Sequence, residues 1–308
     1  GELPWHSLSH RSPKTGRRLA FAKWLTNPDH PLTSRVFVNR IWDRLFGHGI
    51  VATLDNFGKT GAPPTHPDLL DWLSVEFVEG HWSLKQILRT MVLSRAYQQV
   101  SEVSQESKKA DPDNRLYSRM PLKRMRAETV RDSILAVTGQ LSNARGGPPI
   151  QVVEKGNGRI LASELPGGGW CRSVYVIHRR TKIPTLLDSF DYPQMGPNCV
   201  VRKNSIVPQQ ALHLTNNQLV QSWCQSLANE VASHPGSFDQ QMELLFHRVL
   251  ARGLEQNELV ELKKVDSILR AQWRQHLGLE SDDDVVRIRA LTNICHSLIN
   301  SAGFLYID

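Results

Sequence analysis

The sequence lacks the patterns that define several common classes of protein. Its 308 residues include only four cysteines, so the composition excludes a small disulfide scaffold. No apolar run approaches the roughly 18 residues of a membrane-spanning helix. No secretory leader opens the chain, which we interpret as a mature form or a fragment. The composition, 40% hydrophobic and 22% charged, is that of a globular protein rather than a disordered one.

Motifs for binding metal or haem are also missing. The cysteines show neither CxxC nor CxxCH spacing, and the histidines form neither HExxH nor HxH. We therefore expect no metal site and no cofactor in this chain. Cys224 and Cys295 are predicted to be core residues. Cys171 and Cys199 could form a disulfide if the protein is exported.

Charge is distributed unevenly along the chain, whose net charge is +7. Residues 1–114 carry 14 basic and 12 acidic side chains, residues 115–204 carry 15 and 6, and residues 205–308 carry 8 and 12. The middle segment is therefore strongly basic, and arginine, which binds carboxylate, sulfate or phosphate through two N–H groups, predominates over lysine. Either an anionic partner or acids of the same fold could neutralise it, and we favour the second.

Hydrophobic periodicity predicts a mainly α fold, a large multi-helix domain with a small β hairpin or ribbon around residues 150–178. We expect one domain over residues 1–308; the alternative is two packed lobes, a helical one over 1–145 and one over 146–308 that holds the ribbon and the C-terminal helices. Residues 101–114 are predicted to be a linker. Helices are expected over residues 17–26, 33–46, 67–79, 83–92, 121–141, 184–190, 208–231, 237–251, 255–276 and 282–300.

Two groups of titratable residues are candidates for acid/base chemistry. His66 and Asp68 lie at a predicted helix start, where capping is the favoured interpretation and a catalytic or metal-binding role is the alternative. On the helix predicted over 121–141, Glu128 and Asp132 are four residues apart and could share a proton. Arg124 and Arg131 share that face, so we favour neutralisation of both carboxylates by arginine.

A third group of candidates lies between residues 172 and 202, where arginines and aromatic residues bracket two aspartates. Such a set suits a sugar, an anion or a peptide, and it equally suits a junction held by ion pairs. As ligand-binding residues we consider Arg124, Arg131, Arg172, Tyr175, Arg179, Tyr192 and Arg202, with Asp188 and Asp191 as weak catalytic candidates.

Motifs of a known family run along almost the whole chain. They include RLAFAKWL at 18–25, RVFVNRIW at 35–42, FGHGIV at 46–51, DNFG at 55–58, HPDLLDW at 66–72, WSLK at 82–85, SRAY at 94–97, DPDNR at 111–115, AETVRD at 127–132, GGPP at 146–149, RSVY at 172–175, PQQAL at 208–212 and FLYID at 304–308. Together they resemble the C-terminal domain of the planctomycete-type PSD and cytochrome C domain-containing proteins. The chain departs from this family at residues 301–304, where an acidic residue often precedes the Phe.

The resemblance implies a domain of unknown function without established catalytic residues. It also implies an exported protein, periplasmic or otherwise extracytoplasmic, in which a c-type cytochrome domain and a second uncharacterised domain precede this one. We therefore expect a binding or assembly module linked to cytochrome-containing and polysaccharide-processing systems. The alternative is an enzyme or binding module for anionic, sulfated or uronic, polysaccharide that uses residues 115–204. Nucleic-acid binding is a weaker alternative, because RNA motifs and metal-finger spacings are missing.

Overall fold

The computed structural model describes residues 16–102, 104–156, 158–194, 196, 199, 201–202, 205–278 and 282–307. The chain forms two compact units, which we call unit 1, up to Lys123, and unit 2, from Arg124 to Ile307. The glycine- and proline-rich residues 146–149 lie inside unit 2. The description of the chain as one domain or two lobes remains a prediction.

The regular structure of unit 1 is helical among its described residues, apart from Lys123, which begins the first strand. Its first four helices lie where the periodicity predicts them, whereas the fifth lies in the predicted linker. Ser104 begins that helix by accepting a hydrogen bond from the Ser107 amide at 3.1 Å. The helices are α1 (Arg17–Leu25), α2 (Thr33–Phe46), α3 (Pro67–Glu79), α4 (Leu84–Val92) and α5 (Gln105–Ala110).

The core of unit 1 holds α2 in place from one side. Trp42 and Phe46 stack with their ring centroids 3.9 Å apart, and Tyr117 meets both rings edge-on. The buried Asn39 side chain exchanges hydrogen bonds of 2.9 and 2.8 Å with the backbone of Val51. Because these contacts use one face of α2, its other face is available to line a surface hollow.

Unit 2 contains eight α-helices and three complete strands among its described residues, with a fourth strand at its N-terminal boundary. Its helix content, together with that of unit 1, confirms the mainly α prediction. The elements are β1 (Lys123–Arg124), α6 (Ala127–Val137), β2 (Val152–Glu154), β3 (Ile160–Ala162), a 3₁₀ turn (Ser173–Tyr175), α7 (Thr185–Ser189), α8 (Pro208–Asn216), α9 (Gln218–Ser233), α10 (Phe238–Leu250), α11 (Gln256–Leu277), α12 (Asp283–Ile299), α13 (Ala302–Leu305) and β4 (Tyr306–Ile307).

The β ribbon lies where it was expected, but its second strand differs. Strands β2 and β3 pair antiparallel, with Val153 opposite Leu161. Residues 173–177, predicted to be a strand, instead form the 3₁₀ turn and a single parallel bridge between Ile150 and Val176. The Asp132 carboxylate accepts the Ser173 amide at 2.8 Å, so this amide is not available to a β ladder. Strands β1 and β4, at the two ends of unit 2, form the other two-stranded sheet.

Two helices of unit 2 are shorter than the periodicity predicts. The helix expected over 121–141 begins only at Ala127, because the Met125 amide donates to the Leu305 carbonyl at 2.8 Å. The helix expected over 208–231 is interrupted at Asn217. The Asn217 side chain accepts a hydrogen bond from the Leu219 amide at 3.0 Å and so begins a new helix.

The core of unit 2 is centred on α9 and α12, which pack side by side. Cys224 and Cys295 are fully buried there, as predicted, and burial raises the pKa of the Cys224 thiol to about 12. Cys171 is buried and Cys199 exposed, and both are free thiols, so the disulfide considered between them is not formed. No helix in the described part of the chain is both long and apolar enough to cross a membrane.

Candidate functional site

Six of the candidate residues in unit 2 form three ion pairs around α6. We call this group, together with its immediate hydrogen-bond partners, the α6 polar cluster. The pairs are Arg124 with Asp191, Arg202 with Glu128, and Arg131 with Asp132.

The first pair is the most enclosed. Arg124 Nη2 donates to Asp191 Oδ2 at 2.8 Å, and the Arg124 side chain is only 6% exposed. The same guanidinium donates to the carbonyl of Ser205 and to Gln210, while Ser205 donates its amide and hydroxyl to Asp191. Burial by itself would raise the pKa of Asp191, but hydrogen bonds from Ser205 and Arg124 outweigh it and hold the pKa below its usual value. Both charges are therefore engaged inside the fold.

The second pair is more open and lies beside an aromatic hydroxyl. Arg202 Nη1 donates to both carboxylate oxygens of Glu128 at 2.8 Å. Burial raises the pKa of the nearby Tyr192, and the charge of Glu128 raises it further. Tyr192 therefore presents a neutral hydroxyl, and its ring meets the ring of His178 edge-on at 4.8 Å. The His178 Nε2 atom is buried and has no hydrogen-bond partner among the described residues.

The third pair holds a loop against α6. Arg131 Nη1 donates to the Cys171 carbonyl at 2.9 Å, to the Ser173 hydroxyl at 3.2 Å and to Asp132 at 3.3 Å. Asp132 also accepts the Ser173 hydroxyl at 2.7 Å. Burial lowers the pKa of the Arg131 guanidinium, an effect that Asp132 opposes. These bonds fix residues 171–173 on α6, which is a structural use of the charged groups.

The two carboxylates on α6, Glu128 and Asp132, do not contact each other as their spacing on the predicted helix allowed. Glu128 binds Arg202, and Asp132 binds Arg131 and Ser173, so the two carboxylates have different partners. Each carboxylate is bound to a guanidinium rather than to the other carboxylate. This arrangement does not form the shared-proton pair that their spacing allowed.

The remaining candidates of unit 2 lie outside the cluster. Arg172 and Asp188 are exposed and make no hydrogen bond or ion pair through their side chains with the described residues. Arg179 is exposed and donates to Gln151 at 3.3 Å, and Tyr175 is half-buried in the 3₁₀ turn. A role for any of them in binding remains a prediction.

His66 and Asp68 belong to unit 1, at the start of α3. The His66 ring lies 3.0 Å from the Thr65 hydroxyl and does not cap the helix with its side chain. Asp68 is exposed in the first turn, where its negative charge suits the helix dipole. The structure places no other candidate residue beside them in unit 1, among the residues that it describes.

Unit 1 also contains a feature that our sequence analysis did not predict, a surface hollow of about 630 Å³. We call it the apolar hollow, because most of its lining residues are hydrophobic. They come from the end of α1, the following connection, the outer face of α2, α3 and the turn after α3. The apolar lining residues are Leu25, Leu32, Val36, Phe37, Phe77 and Trp82.

Aromatic rings form one wall of the apolar hollow. Phe37 and Phe77 stack with centroids 5.0 Å apart, and Trp82 meets Phe77 edge-on at 5.3 Å. His81 and Trp82 both have left-handed backbone angles, with φ of 55° and 58°, a conformation that costs about 1–3 kcal/mol for such residues. The Trp82 amide donates to the Phe77 carbonyl at 2.9 Å, which holds this turn closed and keeps the indole at the wall.

The polar residues that line the apolar hollow are Thr26, His30, Thr33 and Arg40. The Arg40 side chain is exposed and makes no hydrogen bond or ion pair with the described residues. His30 Nδ1 accepts from the amides of Leu32 at 3.3 Å and Thr33 at 3.1 Å, so the His30 side chain caps the start of α2. Since Nδ1 is the acceptor, we assign the hydrogen of the neutral ring to Nε2.

These observations define a class of protein before any comparison: a mainly α chain of two units, one with an internally paired ionic cluster and one with an open apolar hollow. A family model described as PSD1, protein of unknown function (DUF1553), matches residues 17–265. The chain therefore belongs to the PSD1 family, which confirms the resemblance noted in its motifs. No curated protein and no solved structure matches the chain significantly.

Proposed function

We propose that the chain is a binding and assembly module of an exported, cytochrome-containing protein, and that it docks a neighbouring domain of that protein through the apolar hollow of unit 1. The observation that supports this proposal is the hollow itself, where Phe37 is 42% exposed beside the unpaired Arg40. Concave apolar sites with a few polar groups are the usual form of binding sites, and exposed apolar patches mark interaction surfaces.

Exposed apolar residues extend the proposed docking surface beyond the hollow. Leu19 and Phe21 on α1, and Trp72 and Val75 on α3, are all at least half exposed. Helix α1 has no buried residue in the part of the chain that the structure describes. A partner that covers this surface would remove apolar area from water, which favours association.

The α6 polar cluster supports the same choice by its chemistry. General acid/base catalysis needs a carboxyl group that can exchange a proton with substrate, and glycoside hydrolysis needs two across a cleft. Glu128, Asp132 and Asp191 are instead held by Arg202, Arg131 and Arg124. These contacts favour a structural role for the cluster, and so favour a binding module over an enzyme that would use these carboxylates.

Titration calorimetry of the chain against the purified cytochrome-type domain and the second neighbouring domain tests the proposal. We expect one of them to bind, and we expect Phe37→Ala to weaken binding about tenfold, as loss of an anchor side chain does. Val174→Ala is the matched control, because Val174 is a 77% exposed apolar residue of unit 2. Absence of binding to both domains, or equal effects of the two substitutions, would contradict the proposal.

Binding of anionic polysaccharide is a second candidate, supported by the exposed side chains of Arg172 and Arg179. An array of sulfated and uronic glycans tests it, with Arg172→Ala/Arg179→Ala as the informative double variant and Arg89→Ala, an exposed arginine of α4, as the control. Binding that survives the double substitution rules out this surface. Binding that prefers DNA, with a steep salt dependence, would favour nucleic acid instead.

A further inference from the structure

We infer that the occupant of the apolar hollow is an acidic segment of the partner protein, whose aromatic or aliphatic side chain fills the hollow while a neighbouring carboxylate pairs with Arg40. This inference rests on the proposed function, because it specifies the chemistry of the partner at the same site. It is argued from the charges, hydrogen-bond donors and shape of the hollow.

The charge that lines the hollow is positive, although the helices around it are balanced. Residues 16–46, which form α1, the connection and α2, contain six basic and two acidic side chains, whereas α3 adds four acidic side chains and no basic one. Among the described residues that line the hollow, Arg40 carries a full charge and no carboxylate is present. On the neighbouring α3, Asp71 is already bound to Arg35, with Nε and Oδ1 2.6 Å apart. The basic residues are Arg17, Arg18, Lys23, Arg35, Arg40 and Arg44, and the acidic ones are Asp29 and Asp43.

The polar side chains at the hollow that lack partners can donate hydrogen bonds, so they favour a ligand with acceptor atoms. Arg40 offers five N–H donors and no acceptor. His30 has its Nδ1 atom occupied by the start of α2 and its ring edge-on to Trp24 at 4.3 Å, and its Nε2 atom makes no hydrogen bond with the described residues. The Thr33 hydroxyl lies 2.9 Å from the same Nδ1 atom and is engaged by it. A carboxylate is an acceptor only and carries the complementary charge, so it fits these groups better than an amide or an amine.

The rings that line the hollow favour an apolar side chain of the partner next to that carboxylate. Phe37, Phe77 and Trp82 offer ring faces and edges, and Arg40 lies three residues from Phe37 on the same helix. Residues three apart on a helix have neighbouring side chains. An anchor on the rings therefore places an adjacent acidic side chain near the guanidinium. Binding sites that combine an apolar anchor with a charged neighbour gain specificity from the charge.

Three blocked helical peptides of equal length test the inference directly. They share one Leu/Phe anchor motif, and the positions beside it are all Glu, all Gln or all Lys. Binding to the full chain is followed by Trp fluorescence and amide NMR shifts at low salt. We expect affinities in the order Glu, Gln, Lys, with about a two- to fivefold step for each, the range of an exposed ion pair. Arg40→Gln should remove the steps, and Arg40→Glu should reverse them.

The controls separate this inference from the proposed function. Arg89→Gln, an exposed arginine of α4 outside the hollow, should leave the order unchanged. Equal affinities of the three peptides, no binding by any of them, or a preference for Glu that persists in Arg40→Gln would each overturn the acidic-partner inference. The docking proposal itself depends on the loss of domain binding in Phe37→Ala, so the two can fail separately.

Discussion

Unit 1 and unit 2 differ in whether their candidate charged residues form ion pairs within the chain. In unit 2 the charged residues around α6 bind one another, so that Arg124 and Asp191 meet across 67 positions of sequence. In unit 1, the Arg40 side chain has no hydrogen-bond or ion-pair partner among the described residues, and Phe37 remains 42% exposed beside it. Loss of one partner of an enclosed ion pair leaves a buried charge, whereas exposed apolar surface marks a site of interaction. On this contrast we propose a structural role for the first region and a binding role for the second.

The largest loss of stability should follow removal of a buried charge from unit 2. We expect Arg124→Ala to lower the free energy of unfolding by about 3 kcal/mol, because it leaves Asp191 partly buried and unpaired. Urea unfolding followed by circular dichroism measures the effect. The control is Arg202→Ala, since the pair with Glu128 is more than one-quarter exposed and should cost about 1 kcal/mol. If both variants lose the same stability, the enclosed pair is not the stronger structural element.

Lowering the pH should reduce the free energy of unfolding through protonation of Asp191, by less than the loss of Arg124 does. The pKa of Asp191 is lower in the folded state than in the unfolded state, where an Asp titrates near 3.9. The carboxylate therefore stabilises the fold above a pH of about 3.9, and this contribution is lost as the pH falls through the lower folded-state pKa. We expect the wild type to lose more unfolding free energy between pH 6 and pH 3 than Asp191→Asn does. Asp188→Asn, an exposed neighbour on α7, should behave as the wild type; a common pH profile for all three would refute this contribution.

The smallest effect on stability should come from the apolar hollow. We expect Phe37→Ala to cost only about 1 kcal/mol of unfolding free energy, because the ring is exposed and loses one stacking partner. Thermal and urea unfolding of the isolated chain measure this cost. Phe77→Ala, at the buried side of the same stack, should cost about 3–5 kcal/mol. A loss in Phe37→Ala as large as that in Phe77→Ala would mean that the hollow is part of the core rather than a docking surface.

Much of the helical framework was predictable, because local patterns repeat the geometry of the helix. Ser83 begins α4 by accepting the Gln86 amide, as its capping sequence indicates, and the long α11 lies where its periodicity places it. The errors occurred where a distant group took a backbone amide. Asp132 removes the Ser173 amide from strand pairing, and the Leu305 carbonyl takes the Met125 amide before α6 begins. Such contacts leave no periodic signal.

The candidate site shows the same division. The sequence indicated that Arg124, Glu128, Arg131 and Asp132 share a helix face, and three of them do lie on α6. Their pairing was not predictable, because Arg124 and Glu128 reach loop residues far along the chain rather than each other. Ser205 and Gln210, which hydrogen-bond to the Arg124–Asp191 pair, belong to no motif that could be recognised in a single sequence. The apolar hollow was missed as well, although the outer face of α2 carries Val36, Phe37 and Arg40 at helical spacing.

The amino-acid sequence by itself determined the helical class, the position of the β ribbon, the buried cysteines of the unit 2 core and membership of the PSD1 family. These properties follow from local spacing and from hydrophobic burial, which act on each segment separately. Only in the folded chain do Arg124, Arg131 and Arg202 of the basic middle segment pair with acids of that segment, while Phe37 stays open beside Arg40. Ion pairing and exposure depend on which distant groups meet in space, and residue spacing along a chain does not specify that.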